Sequence, residues 1–166
     1  MTASIRPATP EDGPAIWAIL KPIFRAGDTY TVDPDISRED ALAYWTGASH
    51  GAFVAEADGA VLGTYYLRRN QAGGGAHVCN CGYATAPEAQ GKGVARAMLA
   101  HSLDEARRQG FRAMQFNFVV ATNTRAIATW ERAGFAIVGR LPGAFRHPIE
   151  GFTDALVMYK DLTEES

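Results

Sequence analysis

The stretch Pro87-Glu88-Ala89-Gln90-Gly91-Lys92-Gly93-Val94-Ala95 decides how this chain is read. It stands between a strand-like run, residues 77–85, and a run over 93–109 whose Val94, Met98, Leu99, Leu103 and Ala106 recur at helical spacing. A helix N-terminus presents unpaired N–H groups and a partial positive charge. Glycines let a ligand come close to the backbone. Together they make an anion site suited to a pyrophosphate, against the plainer reading of a glycine-rich turn with no ligand. Two familiar phosphate motifs are excluded. The P-loop, GxxxxGK followed by Ser or Thr, fails because Gly93 follows Lys92 and the required upstream glycine is missing. The dinucleotide fingerprint GxGxxG fails at Arg96. What remains is Gln90-x-x-Gly93-x-Ala95.

Working outward, residues 4–6 read as a short strand. Thr9-Pro10-Glu11-Asp12 reads as a helix start: a capping hydroxyl, a first-turn proline, then acids. Ile16, Ile19, Leu20, Ile23 and Phe24 give that helix one apolar face, while Pro14 and Pro22 predict that it is kinked or short. Residues 25–36 form a loop, after which Ser37 caps a short helix with Leu42 and Trp45 on one side. Residues 53–56 and 61–67 are strands joined at Asp58-Gly59, a strong hairpin signal. Residues 70–76, with Gly73-Gly74-Gly75, make a flexible connection. Gly110 ends the long helix. Residues 111–120 are a strand, 123–133 a helix stopped by Gly134, and 135–139 and 155–161 the final strands. Between these last two, the loop 141–152 with Phe145, Arg146 and His147 is a candidate lid. Arg146 is a candidate partner for a substrate carboxylate, against the plainer reading of a solvated arginine. The order β-α-α-β-β-β-α-β-α-β-β is an α/β arrangement, and no linker divides residues 1–166, so one domain is expected.

Charge and composition narrow the function. The formal net charge is −2 and 20% of residues are charged, so no basic face for nucleic acid is expected. No apolar run approaches the length of a membrane span. Residues 1–10 lack an apolar signal core, which points to a cytoplasmic enzyme. Cys79 and Cys81, if on a strand, share a face but stand too far apart to bridge easily. A CxC pair without further ligands is also poor metal spacing. Two reduced thiols and no metal are expected, and no basic neighbour in sequence suggests that either thiol is an activated nucleophile.

Gln90, Gly93 and Ala95 match the Arg/Gln-x-x-Gly-x-Gly/Ala signature of the GNAT acetyltransferases, which the chain resembles nearly end to end. Asn123, with Trp130-Glu131-Arg132-Ala133-Gly134-Phe135 downstream, resembles the family's second signature. The resemblance implies a mixed, mostly antiparallel sheet of six to seven strands, splayed between the fourth and fifth and flanked by about four helices. It implies acetyl-CoA as co-substrate. Backbone N–H groups of Gln90, Gly91, Lys92, Gly93, Val94 and Ala95 would bind its pyrophosphate. Ala84, Thr85 and Ala86 would pair with the pantetheine arm, and Asn123 would hydrogen-bond it. The fold often pairs, so the resemblance allows a homodimer. One departure stands out. Many members place a tyrosine where this chain has Trp130, and that tyrosine protonates the departing thiolate. Indole only donates hydrogen bonds and is no acid near neutral pH, so Trp130 lines the cofactor site or packs.

A finer pattern, His77-x-Cys79-Asn80-x-Gly82-Tyr83, then Phe116-Asn117, then Thr122-Asn123 and Trp130, is similar to fungal N-acetyltransferases acting on proline analogues such as azetidine-2-carboxylate. That resemblance implies that Asn80 and Asn117 contact the acceptor, that Tyr83 shapes the pocket, and that Thr29 and Tyr30 lie near it. The residues make sense without it. Asparagine is depleted in strands, and two of them on central strands ask for a reason: orienting a small polar molecule, or satisfying each other or the backbone. Tyr83 is a proton relay or a wall. His77, whose ordinary pKa lies near neutral, is a general base or a surface residue at a strand end. The expected partner is a small-molecule amine, with a non-catalytic acyl-CoA sensor and a protein N-terminal or lysine acetyltransferase as the alternatives.

Overall fold

The computed structural model describes residues 2–164; Met1, Glu165 and Ser166, the ends of the expected 1–166 unit, lie outside the described residues. In chain order the elements are β1 (Ser4–Pro7), α1 (Gly13–Ala26), α2 (Arg38–Thr46), β2 (Ala52–Ala57), β3 (Ala60–Arg69), β4 (Val78–Thr85), α3 (Val94–Arg108), β5 (Ala113–Val120), α4 (Thr124–Arg132), β6 (Ala136–His147) and β7 (Gly151–Asp161). The strands form one seven-stranded sheet, ordered β1-β2-β3-β4-β5-β7-β6. Each neighbouring pair is antiparallel except β4 and β5.

Strand alternation divides the helices between two faces. On β3, Gly63 faces Val94 and Met98 of α3, and the Tyr65 hydroxyl meets His101 Nδ1 at 2.7 Å. Thr64, one residue along, faces α2: the fully buried Trp45 donates to its Oγ1 at 2.9 Å, and Thr64 donates on to the Phe53 carbonyl. That relay satisfies a hydroxyl and an indole in the core, where an unmet polar group would be costly. The helix α1 packs beside α2 and against β3, burying Ile16, Ile19, Leu20 and Phe24, with the Phe24 ring 6.3 Å from that of Trp45. Its N-terminus is tied to β1 by Arg6, which donates twice to Asp12 at 2.8 and 2.9 Å. The guanidinium holds the Asp12 carboxyl down at about 2.

The structure bears on two local expectations. Pro22 does not break or shorten α1, which runs to Ala26. Both Pro22 and Ala18, whose carbonyl it would crowd, lie on the exposed side of the helix, where the lost hydrogen bond faces water. The candidate lid at 141–152 is not a loop. Phe145↔Thr153, Arg146↔Phe152 and His147↔Gly151 pair as the far end of the β6–β7 hairpin. Arg146 there stacks over the Phe152 ring at 5.8 Å and does not line the cavity described below.

Candidate active site

The sheet opens where β4 and β5 part. Their parallel pairing is confined to Val78↔Ala113 and Cys79↔Met114. Beyond that point a cavity of about 980 Å³ fills the gap, reaching both faces of the sheet. Asn80 marks the parting: its Nδ2 donates to the Gln115 carbonyl at 2.9 Å, so a side chain takes over the bond that the next rung would have made. On β5 the register with β7 slips between Phe116↔Met158 and Val119↔Leu156, which leaves one extra residue on β5, a bulge, at Asn117 and Phe118. Bulges re-aim side chains, and here the bulge sits beside the opening.

On the α3 side the wall is backbone. Gly91 and Gly93 hold φ of 78° and 81°, a region costly for any other residue type, and Gly93 is the N-cap of α3. A Cβ at Gly93 would meet nothing within 4 Å, so the space over it belongs to the cavity and solvent. Of the N–H groups expected to face a pyrophosphate, two are already engaged: Gln90 donates to Pro87 and Lys92 to Ala89, both at 3.3 Å. The N–H groups of Gly91 and Gly93 have no acceptor among the described residues, and those of Val94 and Ala95 belong to the unpaired first turn of α3. Gln90, Gly91, Gly93, Val94 and Ala95 line the cavity, whereas the exposed Lys92 does not. Ala84 and Thr85 line it too. Ala86 does not: it is buried, and its N–H is tied to the Leu62 carbonyl at 2.8 Å.

The same side carries an aromatic wall. Trp130 packs 5.2 Å from the Tyr83 ring and 4.8 Å from Phe116, and all three line the cavity. The Tyr83 hydroxyl lies 2.6 Å from Ser102 Oγ, and Ser102 donates to the Leu99 carbonyl. With the Ser102 proton given to Leu99, the Tyr83 hydroxyl can donate to Ser102 Oγ or, at 3.7 Å, to Met114 Sδ, and burial pushes its pKa well up. Asn123 caps α4, its Oδ1 accepting from Ala126 N–H, and it lines the cavity. Cys79 and Cys81 are free and buried. Burial pushes the Cys81 thiol up, against any role as a thiolate.

On the α1–α2 side the wall is side chains. Thr29, Tyr30, Asn80 and Asn117 line it. The half-buried Tyr30 donates from its hydroxyl to the Tyr83 carbonyl at 2.6 Å. The two asparagines do not bond to each other. Asn117 accepts from Gln115 Nε2 at 2.9 Å and donates to Asn70 Oδ1 at 2.7 Å. His77 is not part of this wall: it is exposed just before β4, at the paired end of the strands. Among the described residues no three His, Cys, Asp or Glu side chains cluster as a metal site, and no helix is long and apolar enough to cross a membrane.

Sequence reasoning missed Asp28, Tyr44 and Tyr66 on the side-chain wall, and Arg125 and Arg132 on α4. Arg125, Thr129 and Arg132 follow helical spacing, so one visible signal was a polar stripe on that helix. Tyr66 had another. A Cβ on Gly82 would fall 2.3 Å from the Tyr66 ring, so the glycine of Asn80-x-Gly82-Tyr83 is what lets the ring lie across β4.

The acetyltransferase (GNAT) family model matches residues 14–135. N-acetyltransferase aca1 of Schizosaccharomyces pombe is 30% identical over 148 residues, covering 79% of this chain and 71% of that protein. The structure of a GCN5-related N-acetyltransferase from Kribbella flavida superposes with a TM-score of 0.91 at 40% identity, over 96% of this chain and 98% of that one. A phosphinothricin acetyltransferase from Sinorhizobium meliloti, solved in complex with acetyl-CoA, shares the fold at 23% identity with a TM-score of 0.85, over 97% and 89%.

Proposed function

Since the chain belongs to the GNAT acetyltransferase family, we propose that it transfers the acetyl group of acetyl-CoA to the amine of a small molecule, an amino acid or a proline analogue. The observation that carries this reading is the cavity through the split sheet, with a backbone anion site at one end and neutral amides at the other. The N–H groups of Gly91, Gly93, Val94 and Ala95 would take the pyrophosphate, with Arg125 and Arg132 nearby as counter-charges. The free edge of β4 at Ala84 and Thr85 would guide the pantetheine arm, with the Asn123 NH2 as a further donor. Asn80 and Asn117 would orient the acceptor.

Acetyl-CoA supplies the acyl group and a thiolate leaving group, whose unperturbed pKa of about 8.5 lets it depart without a dedicated acid. Bringing amine and thioester together across the split converts a bimolecular encounter into a local one, and backbone N–H groups at the fourth strand would stabilise the oxyanion. The acceptor amine must shed its proton, and water at the open mouth is the simplest carrier.

The similarity to the fungal N-acetyltransferase supports acetyl transfer to a nitrogen; the amino-acid reading rests on the amides of Asn80 and Asn117 that line the cavity. We place the reaction in the cytoplasm, in keeping with two free, buried thiols. We propose residues 1–166 as one functional unit. A homodimer would use the β6–β7 hairpin, where Val138 is 60% exposed, Phe152 75% and Ile149 87% on an edge of the sheet; its mass in solution checks this. The deciding experiment is an amine panel with acetyl-CoA, following release of the CoA thiol. Turnover of amino acids or cyclic secondary amines supports the reading. CoA binding without turnover of any amine makes the protein a sensor, and turnover confined to peptides makes it a protein acetyltransferase.

A further inference from the structure

Arg68 lies near the end of β3, opposite Asn80 in the β3–β4 register. Its guanidinium carbon sits 4.1 Å from the centroid of the Tyr66 ring and 4.8 Å from that of Tyr44. One terminal nitrogen donates to the Tyr44 carbonyl at 2.9 Å. Its Nε is the one buried side-chain nitrogen or oxygen without a hydrogen-bond partner among the described residues. The ion pairs among the described residues involve Arg6, Arg107, Arg108 and Arg140, and none involves Arg68.

This arrangement is poorly explained by packing. A guanidinium is always charged and presents five donors. Burying one of those donors without an acceptor is unfavourable, and an apolar side chain would fill the slot between two rings without that penalty. Aromatic faces attract the cation but do not neutralise it. A full positive charge therefore stands behind the wall that Tyr44, Tyr66 and Asn80 present to the cavity. The hydroxyls of Tyr44 and Tyr66 are 3.3 Å apart, and the Tyr66 hydroxyl reaches Asn80 Oδ1 at 3.4 Å, a long bond that a better acceptor could replace. Burial raises the pKa of Tyr66, which keeps its hydroxyl a donor. The one acid among the described residues lining the cavity is Asp28, on the α1–α2 connection. A simple alkylamine, cationic near neutral pH, would meet the Arg68 wall with like charge. An amine that also bears a carboxylate would offer the Tyr66 hydroxyl a stronger acceptor than the Asn80 amide oxygen, and would bring the wall the negative charge it lacks.

We propose that Arg68, held behind Tyr44 and Tyr66, makes the acceptor half of the cavity select an amine that carries a carboxylate. The inference rests on the acetyl-transfer reading above and names the side chain that would enforce its substrate class. Arg68 is a positioning residue: it acts through the wall, on where the acceptor's anionic group settles.

The test compares azetidine-2-carboxylate with azetidine-2-carboxamide, which share a ring and differ in charge. Wild type should favour the acid at least tenfold in kcat/KM. Arg68→Gln should erase that preference through the KM of the acid, with turnover of the amide and acetyl-CoA affinity little changed. Arg68→Lys, which keeps the charge, should restore most of the preference. Equal losses on acid and amide in a folded Arg68→Gln protein that still binds acetyl-CoA would mean that Arg68 only packs. Where Arg68→Gln does not fold, Arg68→Met keeps the stem between the rings and takes its place. The wild-type ratio decides by itself as well: no preference for the acid overturns the proposal while acetyl transfer stands. No turnover of any amine removes the reading beneath it, and the proposal falls with it.

Discussion

On the α3 side the cavity is walled by main chain: two glycines in the left-handed region, a helix start, and the free edge of β4. On the α1–α2 side it is walled by Tyr30, Tyr66, Asn80 and Asn117, brought together from a loop and three strands. Main chain is suited to what every acyl-CoA shares, a pyrophosphate and a chain of amides. Side chains are suited to what differs from one acceptor to the next, and a single substitution can change them without touching the fold. The two walls should therefore fail independently. One class of variant should lose acetyl-CoA and another should lose the acceptor, with little crossover.

The sharpest break in the main-chain wall is Gly93→Val. Its φ of 81° strains a β-branched residue by about 1–2 kcal/mol, and the new side chain would occupy space that is open above the loop. Loss of two hydrogen bonds to a charged group, each worth roughly 1.5–3 kcal/mol, amounts to ~100-fold or more in affinity. Calorimetry with acetyl-CoA, on protein whose melting curve shows it folded, should show that loss. Unchanged affinity would falsify the placement of the pyrophosphate on this loop.

The side-chain wall is tested by Asn80→Ala and Asn117→Ala. Each should lower kcat/KM for the best acceptor at least ~tenfold, from one or two lost polar contacts, and leave acetyl-CoA affinity alone. The pair should then separate on stability. Asn80 also closes the split by donating to the Gln115 carbonyl, so its alanine variant should lose about 0.5–1.5 kcal/mol, a few degrees of Tm for a chain this size. Asn117 is exposed at the bulge, and its bonds run to Gln115 and Asn70 side chains. Asn117→Ala should therefore melt with wild type. Wild-type kinetics in both variants would make the amides structural and remove the main support for the proline-analogue reading.

The same contrast explains what could be read from the chain. The loop at Gln90-Gly91-Lys92-Gly93 was legible because its chemistry is local: glycine conformations and a helix start lie within a few residues. Even there, the engagement of Gln90 and Lys92 N–H groups by Pro87 and Ala89 depends on the turn adopted and was not visible. Asn80 and Asn117 stood out as residue types that strands avoid. Arg68 did not, because a charged residue near a strand end is ordinary; what sets it apart is the missing acceptor on a buried Nε, and that emerges only from packing. His77 misled for a related reason. The neighbouring motif residues alternate onto the two faces of β4, but His77 precedes the strand at its closed end. The hairpin end at 141–152 carries no strand signal because β6 is an edge strand, exposed along most of its length, with no alternation of burial to detect. Pro142 lies where its register with β7 slips between Leu141 and Phe145, a place where an edge strand tolerates proline.

The smallest expected effect belongs to Trp130, which stands on the main-chain side of the cavity yet is a side chain. The family resemblance puts it at the position of a tyrosine acid, so it tests whether this wall does any proton chemistry. Indole cannot deliver a proton near neutral pH, and the hydroxyl of the aromatic wall, that of Tyr83, lies 2.6 Å from Ser102 Oγ. If the thiolate leaves unaided and takes its proton from water, Trp130 contributes ring surface against Tyr83 and Phe116. Phenylalanine keeps most of that surface. Trp130→Phe should then change kcat less than ~tenfold, whereas removing a general acid costs about 10²–10⁴-fold. The acetyl-CoA KM should rise modestly, since the indole lines the cavity. Measuring kcat across pH 6–9 sharpens the test. A thiolate protonated by water should give the same profile in variant and wild type, shifted only in height. A fall of a hundredfold with acetyl-CoA affinity intact would instead show that the indole N–H, which has no acceptor among the described residues, stabilises the departing sulfur or the carbonyl oxygen by hydrogen bonding.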